Sequence, residues 1–139
     1  MANSSGSIVP LLGRILLSSV FLIAAYGKVT GFHGEEAFVA MKHLPMPAVA
    51  LGIAMMVELL GGLAILVGLY ARFAAWIVFL YMIPTTFLFH NFWTLEGAAR
   101  MDTTLHFEKN IAIMGGLLIL AAFGAGAYSV DAARAPKAA

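Results

Sequence analysis

Glu58 is a carboxylic acid in the middle of an apolar stretch, residues 48–69, that contains no other charged side chain. A carboxylate near the centre of a bilayer costs on the order of 3 kcal/mol by insertion scales. Such a group is tolerated where it faces other helices, pairs with a cation or takes up a proton. Glu58 therefore predicts a buried ion pair or a proton-binding site inside a membrane. Small residues that allow close helix approach share its helix face, so we expect this face to pack against other helices; they are Ala54, Gly61, Gly62 and Gly68.

Arg14 is the cation that we expect to pair with Glu58. At 1.5 Å per residue, Glu58 lies roughly 16 Å from the outer end of its stretch. The same depth on the first apolar stretch falls near Ser18, one turn from Arg14, whereas Lys28 is roughly 15 Å too far toward the outer end. We predict an Arg14–Glu58 ion pair, with Ser18 or Tyr81 as a further hydrogen-bond partner. The pair either fixes the helix register or engages the polar end of a ligand.

A second group of polar side chains falls near the outer ends of the apolar stretches. Its members are Lys28, His90, Asn91 and Lys109. His90 still lies in apolar sequence, and an imidazole gains and loses a proton near neutral pH, so it could pass protons to a ligand. The alternative is that the lysines reach toward lipid headgroups and neighbouring aromatic residues form an interfacial belt. No metal site is expected, because the four histidines lack the i, i+4 spacing of a helical pair.

Four apolar stretches are long enough to hold these residues in a membrane. Apolar residues make up 62% of the 139 residues and charged residues 11%, whereas soluble domains have roughly 45–50% and 25%. A hydrocarbon core of about 30 Å needs about 20 apolar residues per helix. The predicted spans are residues 8–27, 47–71, 73–93 and 109–130. The expected fold is all-α, a single domain that forms an integral membrane four-helix bundle.

The connections between the spans differ in length. The amphipathic pattern of residues 29–46 predicts a short helix on the membrane interface. Its apolar side holds Phe38, Met41 and Val39, and its polar side holds Glu35, Glu36 and Lys42. The second and third spans are joined by a tight hairpin at Tyr70-Ala71-Arg72. Residues 94–109 form a polar connection, and the small-residue tail 131–139 is expected to be disordered.

The distribution of positive charge predicts the orientation. Lys and Arg residues near the span ends divide equally between the two sides of the membrane. The orientation is therefore predicted from the short hairpin and the basic tail. They place both termini in the cytoplasm, with four basic residues on that side: Arg14, Arg72, Arg134 and Lys137. The first span has no basic residue before it and is interrupted by Arg14, so we expect it to be retained rather than cleaved as a signal peptide.

Several classes of function are excluded by what the sequence lacks. It has no cysteine, which excludes disulfides, thiolate catalysis and cysteine-ligated iron–sulfur clusters. It has no basic stripe of the kind that binds nucleic acid. It has no evident haem or flavin motif, so we expect no intrinsic cofactor.

Taken in order, seven short segments resemble the DoxX family of small four-span bacterial membrane proteins. The segments are Leu12-Gly13-Arg14, Tyr26-Gly27-Lys28, Leu44-Pro45-Met46-Pro47, Glu58-Leu59-Leu60-Gly61-Gly62, Gly68-Leu69-Tyr70-Ala71-Arg72, Phe89-His90-Asn91-Phe92-Trp93 and Lys109-Asn110-Ile111-Ala112. The resemblance covers nearly the whole chain. It implies a four-helix bundle in the bacterial inner membrane. It also implies a redox association, because some members are named after a thiosulfate:quinone oxidoreductase and others are linked to oxidative-stress assemblies.

The leading interpretation is a redox-associated subunit that binds a quinone or similar amphipathic molecule within its bundle, among membrane lipids, and serves a redox partner protein. Arg14 and Glu58 would polarise or protonate the polar end of the ligand, or hold the helices around it. His90, Lys28 and Lys109 would line the outer mouth. Without an electron carrier of its own, the chain is at most a subunit of a quinone-linked oxidoreductase.

Two other functions remain open. One is a non-enzymatic scaffold or assembly factor that grips partner proteins through the small residues Gly115, Gly116 and Gly124. The other is a small transporter for protons or solutes centred on Glu58, although no internal repeat supports it. Four short helices bury little area, so self-association into a homo-oligomer is also expected.

Overall fold

The computed structural model describes residues 6–136, which contain six α-helices, a short 3-10 helix (Phe92–Thr94) and no strand. The helices are α1 (Val9–Thr30), α2 (Phe32–Met41), α3 (Pro47–Val67), α4 (Ala71–Phe89), α5 (Gly97–Phe123) and α6 (Val130–Arg134). α1, α3, α4 and α5 are each long and apolar enough to cross a membrane. The predicted all-α membrane bundle is therefore confirmed.

The four long helices pack in the order α1, α3, α4, α5. α1 packs along most of α3, and α4 packs along α5, whereas α1 and α5 scarcely touch. The seam between α1 and α5 holds a groove of about 680 Å³, which we call the α1–α5 groove. Its walls are apolar except for Arg14 and Lys109.

Small residues bring α3 close to its two neighbours. Gly61 and Gly62 are buried together with Glu58 on one face of α3. A Cβ added at Gly62 would lie 3.0 Å from Leu22 Cδ2 of α1, and one added at Gly61 would overlap Val78 of α4. Because side chains larger than hydrogen would push these helices apart, the glycines allow the close approach that drives helix association in lipid. The prediction that Glu58 lies on a packing face is confirmed.

α2 forms within the first connection, where a short helix is predicted, and packs against α3. Val39 is buried in this contact, and the Phe38 ring lies 5.5 Å from the Phe89 ring of α4. α2 therefore covers one end of the bundle as part of the protein core.

α5 differs from the predicted fourth span at both ends. It begins at Gly97, not at residue 109, so most of the predicted polar connection is helical. Its first three turns contain alanine, arginine, leucine and glutamate, which favour helix without being apolar enough to register as a span. It ends at Phe123, before Gly124 and Gly126, whose φ angles of +82° and +78° do not continue a helix.

Residues 131–136, the described part of the predicted tail, are more ordered than expected. Val130–Arg134 form α6, which begins with the Ser129 hydroxyl accepting a hydrogen bond from the Ala132 N–H at 3.1 Å. The Asp131 carboxylate accepts hydrogen bonds from the backbone N–H groups of Tyr70 at 2.7 Å and Ala71 at 2.9 Å. These N–H groups at the start of α4 have no partner within that helix, so the carboxylate fixes the tail in place. Lys137, in the same predicted tail, lies outside the described residues.

Candidate ligand-binding site

Glu58 is bound by an ammonium and a phenol from two neighbouring helices. Lys28 Nζ of α1 lies 2.9 Å from Glu58 Oε2 and 3.0 Å from Oε1. The Tyr81 hydroxyl of α4 donates to Oε1 at 2.7 Å, as the sequence predicted for Tyr81. The side chain of Glu58 is 6% exposed and that of Lys28 is 20% exposed. The carboxylate thus has an opposite charge and a hydrogen-bond donor where it leaves water.

The predicted Arg14–Glu58 ion pair is wrong, and so is the conclusion that Lys28 cannot reach Glu58. The prediction took the ends of α1 and α3 as level. In the structure Gly62 of α3 packs against Leu22 of α1. Glu58 lies one turn before Gly62, so on α1 its level is about one turn after Leu22. That point is about half a turn before Lys28. α3 therefore begins beyond the end of α1, and α2 packs against the part that projects.

Arg14 lies at the opposite end of the bundle. It is 2% exposed, and its guanidinium donates to the backbone carbonyl of Tyr128. A Cβ added at Gly68, which ends α3 with φ +70°, would overlap this guanidinium. A cation beside the last carbonyls of a helix is stabilised by the helix dipole. Ser18 donates to the Ile15 carbonyl at 3.1 Å, so it is not the predicted partner of Glu58.

A cavity of about 350 Å³ lies beside Lys28 and Tyr81 and is walled on one side by α2. We call it the α2 cavity. Its polar lining consists of Lys28, Glu35, Tyr81, Thr85 and His90. Its apolar lining includes Phe38, Val39, Leu44, Leu51, Leu88 and Phe89. The ion pair with Glu58 thus stands behind the wall of an otherwise apolar chamber.

The remaining predicted residues lie in different places. The His90 ring lines the α2 cavity and stacks on His106 with centroids 5.4 Å apart. Asn91 does not line it, since its side chain accepts from Lys42 Nζ at 2.9 Å and donates to Thr94. Lys109 lines the α1–α5 groove instead. The structure therefore brings together Lys28, Glu58, Tyr81 and His90, and separates Arg14, Asn91 and Lys109 from them.

Two residues of the cavity wall were missed from the sequence, Glu35 and Thr85. The amphipathic pattern predicted Glu35 on the polar side of an interfacial helix. It is four residues before Val39, which is buried, and residues at that spacing share a helix face. That spacing was the available signal. Thr85 donates to the Tyr81 carbonyl at 2.9 Å, so its hydroxyl is held against its own helix.

The three glycines predicted to contact partner proteins as a scaffold face differ in what they contact within this chain. A Cβ added at Gly116 would lie 3.5 Å from Leu17 of α1, and one at Gly124 would lie 3.1 Å from Arg72. A Cβ at Gly115 would meet nothing within 4 Å. Two of the three therefore serve contacts of this chain with itself.

The comparisons with known proteins agree with this architecture. The sequence profile of the DoxX family matches residues 9–91. The chain is 39% identical to the inner membrane protein YqjF of Escherichia coli over 121 residues, which cover 87% of this chain and 88% of YqjF. It is 33% identical to the inner membrane protein YphA of the same organism over 121 residues, 87% of this chain and 86% of YphA. No solved structure matches. On the profile match and these two relatives, the chain belongs to the DoxX family.

Proposed function

We propose that this protein is an inner-membrane subunit that binds a quinone, or a similar amphipathic molecule, in the α2 cavity. The observation that carries the proposal is a largely apolar cavity lined at one end by Lys28 and Tyr81, which both bind the buried Glu58 carboxylate. An ion pair that only fixed helix register would not need a chamber beside it. Ligand sites commonly combine apolar walls with a few convergent polar groups.

The size of the cavity favours a ring-sized headgroup. Small-molecule sites have volumes of roughly 300–1,000 Å³, and the α2 cavity, at about 350 Å³, is at the lower end. It fits a substituted aromatic ring but not a long isoprenoid tail, which would extend into the bilayer. The neighbouring rings of Phe38 and Phe89 provide flat apolar surfaces for a planar headgroup.

The polar end provides groups that exchange protons. Lys28 is in contact with both the cavity and the Glu58 carboxylate, and its 20% exposure leaves it accessible from the cavity. His90 lines the same cavity. A quinone takes up or releases protons with its electrons, so these side chains suit such a ligand. Because the chain contains no cysteine, any electrons would pass between the ligand and a partner protein.

The proposed orientation places both termini in the cytoplasm. The α2 cavity is then near the outer face of the membrane and Arg14 near the inner face. The relatives named above are inner membrane proteins, and we propose the same membrane for this chain.

The proposal is tested by filling the cavity. Ala54 of α3 lines the α2 cavity, whereas Gly52 of the same helix does not, and a Cβ at Gly52 meets nothing within 4 Å. Ala54→Phe should weaken binding of a short-tailed quinone by at least about tenfold, and Gly52→Phe should leave it unchanged. Binding is measured by equilibrium dialysis of purified protein in lipid nanodiscs, with thermal unfolding as a check on folding.

The result that contradicts the proposal is equal binding by the wild type and folded Ala54→Phe. Equal loss in Ala54→Phe and Gly52→Phe would also contradict it, because the effect would then not depend on the cavity. If Ala54→Phe does not fold, Ala50→Phe repeats the test from the adjacent turn of the same cavity wall.

A further inference from the structure

The hydrogen-bond donors around the α2 cavity are largely engaged with acceptors of the protein. The Tyr81 hydroxyl donates to Glu58, and the Thr85 hydroxyl donates to the Tyr81 carbonyl. Lys28 Nζ lies 2.9 Å and 3.0 Å from the two oxygens of Glu58, so that carboxylate takes up part of its donor capacity. The rest of the Lys28 ammonium and a ring N–H of His90 remain for a ligand.

The hydrogen-bond acceptors that line the cavity have fewer partners within the protein than its donors have. The Glu35 carboxylate lines the cavity and, within residues 6–136, accepts no hydrogen bond and forms no ion pair. Its two oxygens offer up to four acceptor positions. Thr85 Oγ1 and the second nitrogen of His90 can also accept. Among the side chains that line the cavity, a ligand therefore meets more free acceptors than free donors.

A quinone and its hydroquinone differ in the hydrogen bonds that they can form. The two carbonyl oxygens of a quinone only accept hydrogen bonds, whereas the two hydroxyl groups of a hydroquinone also donate. Placed in the α2 cavity, quinone carbonyls would face a free carboxylate without a proton between them. Hydroquinone hydroxyls can donate to that carboxylate, and hydrogen bonds to charged acceptors are the stronger kind.

We infer that the α2 cavity selects the reduced, hydroxyl-bearing form of its ligand, and that Glu35 is the residue that sets this preference. The inference rests on the proposed function and adds the redox form of the ligand to it. It concerns binding and includes no electron transfer. It assigns to Glu35 a role that the sequence pattern of α2 does not suggest.

The chain offers a matched control for the test. Glu36 is adjacent to Glu35 on α2 but does not line the cavity, and its carboxylate is 4.0 Å from His33. Glu35→Gln and Glu36→Gln each remove one negative charge from the same helix. Glu35→Gln also introduces an amide N–H that can donate to a quinone carbonyl.

The experiment compares anaerobic binding of one short-tailed benzoquinone with that of its chemically reduced hydroquinone, using protein in lipid nanodiscs. The wild type and Glu36→Gln should bind the hydroquinone about tenfold or more tightly than the quinone. Glu35→Gln should reduce this ratio to about threefold or less. Bound ligand is measured by equilibrium dialysis and mass spectrometry.

Three outcomes would overturn the inference, and they are distinguishable. If the wild type binds the quinone as tightly as the hydroquinone, or more tightly, the redox preference is wrong while the proposed function stands. If Glu35→Gln and Glu36→Gln change the ratio equally, Glu35 does not set the preference. If neither form binds, the proposed function fails and the inference fails with it.

Discussion

Substitutions of Lys28 and Glu58 should have strongly coupled effects on the free energy of unfolding. Substitutions of Arg14 and Glu58 should have independent effects. Lys28→Met leaves a carboxylate that is 6% exposed with Tyr81 as its partner, which should cost about 3–5 kcal/mol of unfolding free energy. Glu58→Gln leaves an ammonium that opens toward the α2 cavity, at a cost of about 1–2 kcal/mol. The double variant buries no unpaired charge, so it should be destabilised by only about 1–2 kcal/mol.

The two single costs together exceed the cost of the double variant by about 4 kcal/mol, which is the expected coupling energy of Lys28 and Glu58. The same cycle on Arg14→Met and Glu58→Gln should be additive within about 0.5 kcal/mol, because these residues lie at opposite ends of the bundle. The free energy of unfolding is measured by titrating detergent-solubilised protein with sodium dodecyl sulfate and following helix content by circular dichroism. Coupling below about 0.5 kcal/mol for Lys28 and Glu58, or above about 1 kcal/mol for Arg14 and Glu58, would refute the register of α1 and α3.

Three further variants, one of them with a control variant, test the contacts that hold the bundle and its site. Gly68→Ala should lower the free energy of unfolding by about 2–4 kcal/mol, because the residue has φ +70° and a new Cβ would overlap the buried Arg14 guanidinium. The control Gly115→Ala, where a new Cβ meets nothing within 4 Å, should raise the free energy of unfolding slightly in the same titration. Asp131→Ala should lower it by about 1–2 kcal/mol, because two backbone N–H groups at the start of α4 lose their acceptor. Tyr81→Phe should cost about 1–2 kcal/mol by removing the hydrogen bond to Glu58, and dialysis should show weaker quinone binding.

The fold was predictable because four long apolar stretches leave few alternatives. A chain with so few charged residues cannot place these stretches in water, and in lipid they must be helical. The position of Glu58 between small residues also predicted correctly which face of α3 packs. Hydropathy could not reveal the first turns of α5, since a polar helix outside the membrane has no apolar signature.

The site was predictable in part. A lone carboxylate in an apolar stretch identified Glu58, and Tyr81 was recognised as a partner. The partner cation was not, because the register between α1 and α3 depends on where Gly62 meets Leu22. That contact shifts the level of the two helices by several residues relative to their ends. No periodicity within a single helix contains this information.

The contact between Asp131 and the start of α4 shows a second limit of sequence reasoning. Small residues around Asp131 suggested disorder, but the carboxylate binds the start of α4, about 60 residues earlier in the chain. Such a contact depends on the tertiary structure. Composition alone could not predict it.

The central claim is that the α2 cavity holds a quinone-type molecule, and the most direct test is to identify what the cavity retains. Wild type, Ala54→Phe and Gly52→Phe would be extracted into native lipid particles, and the small molecules that copurify would be quantified by mass spectrometry against the bulk lipid extract. A quinone or hydroquinone should be enriched with the wild type and with Gly52→Phe, and lost with Ala54→Phe. No enrichment in the wild type, or equal enrichment in all three, would contradict it.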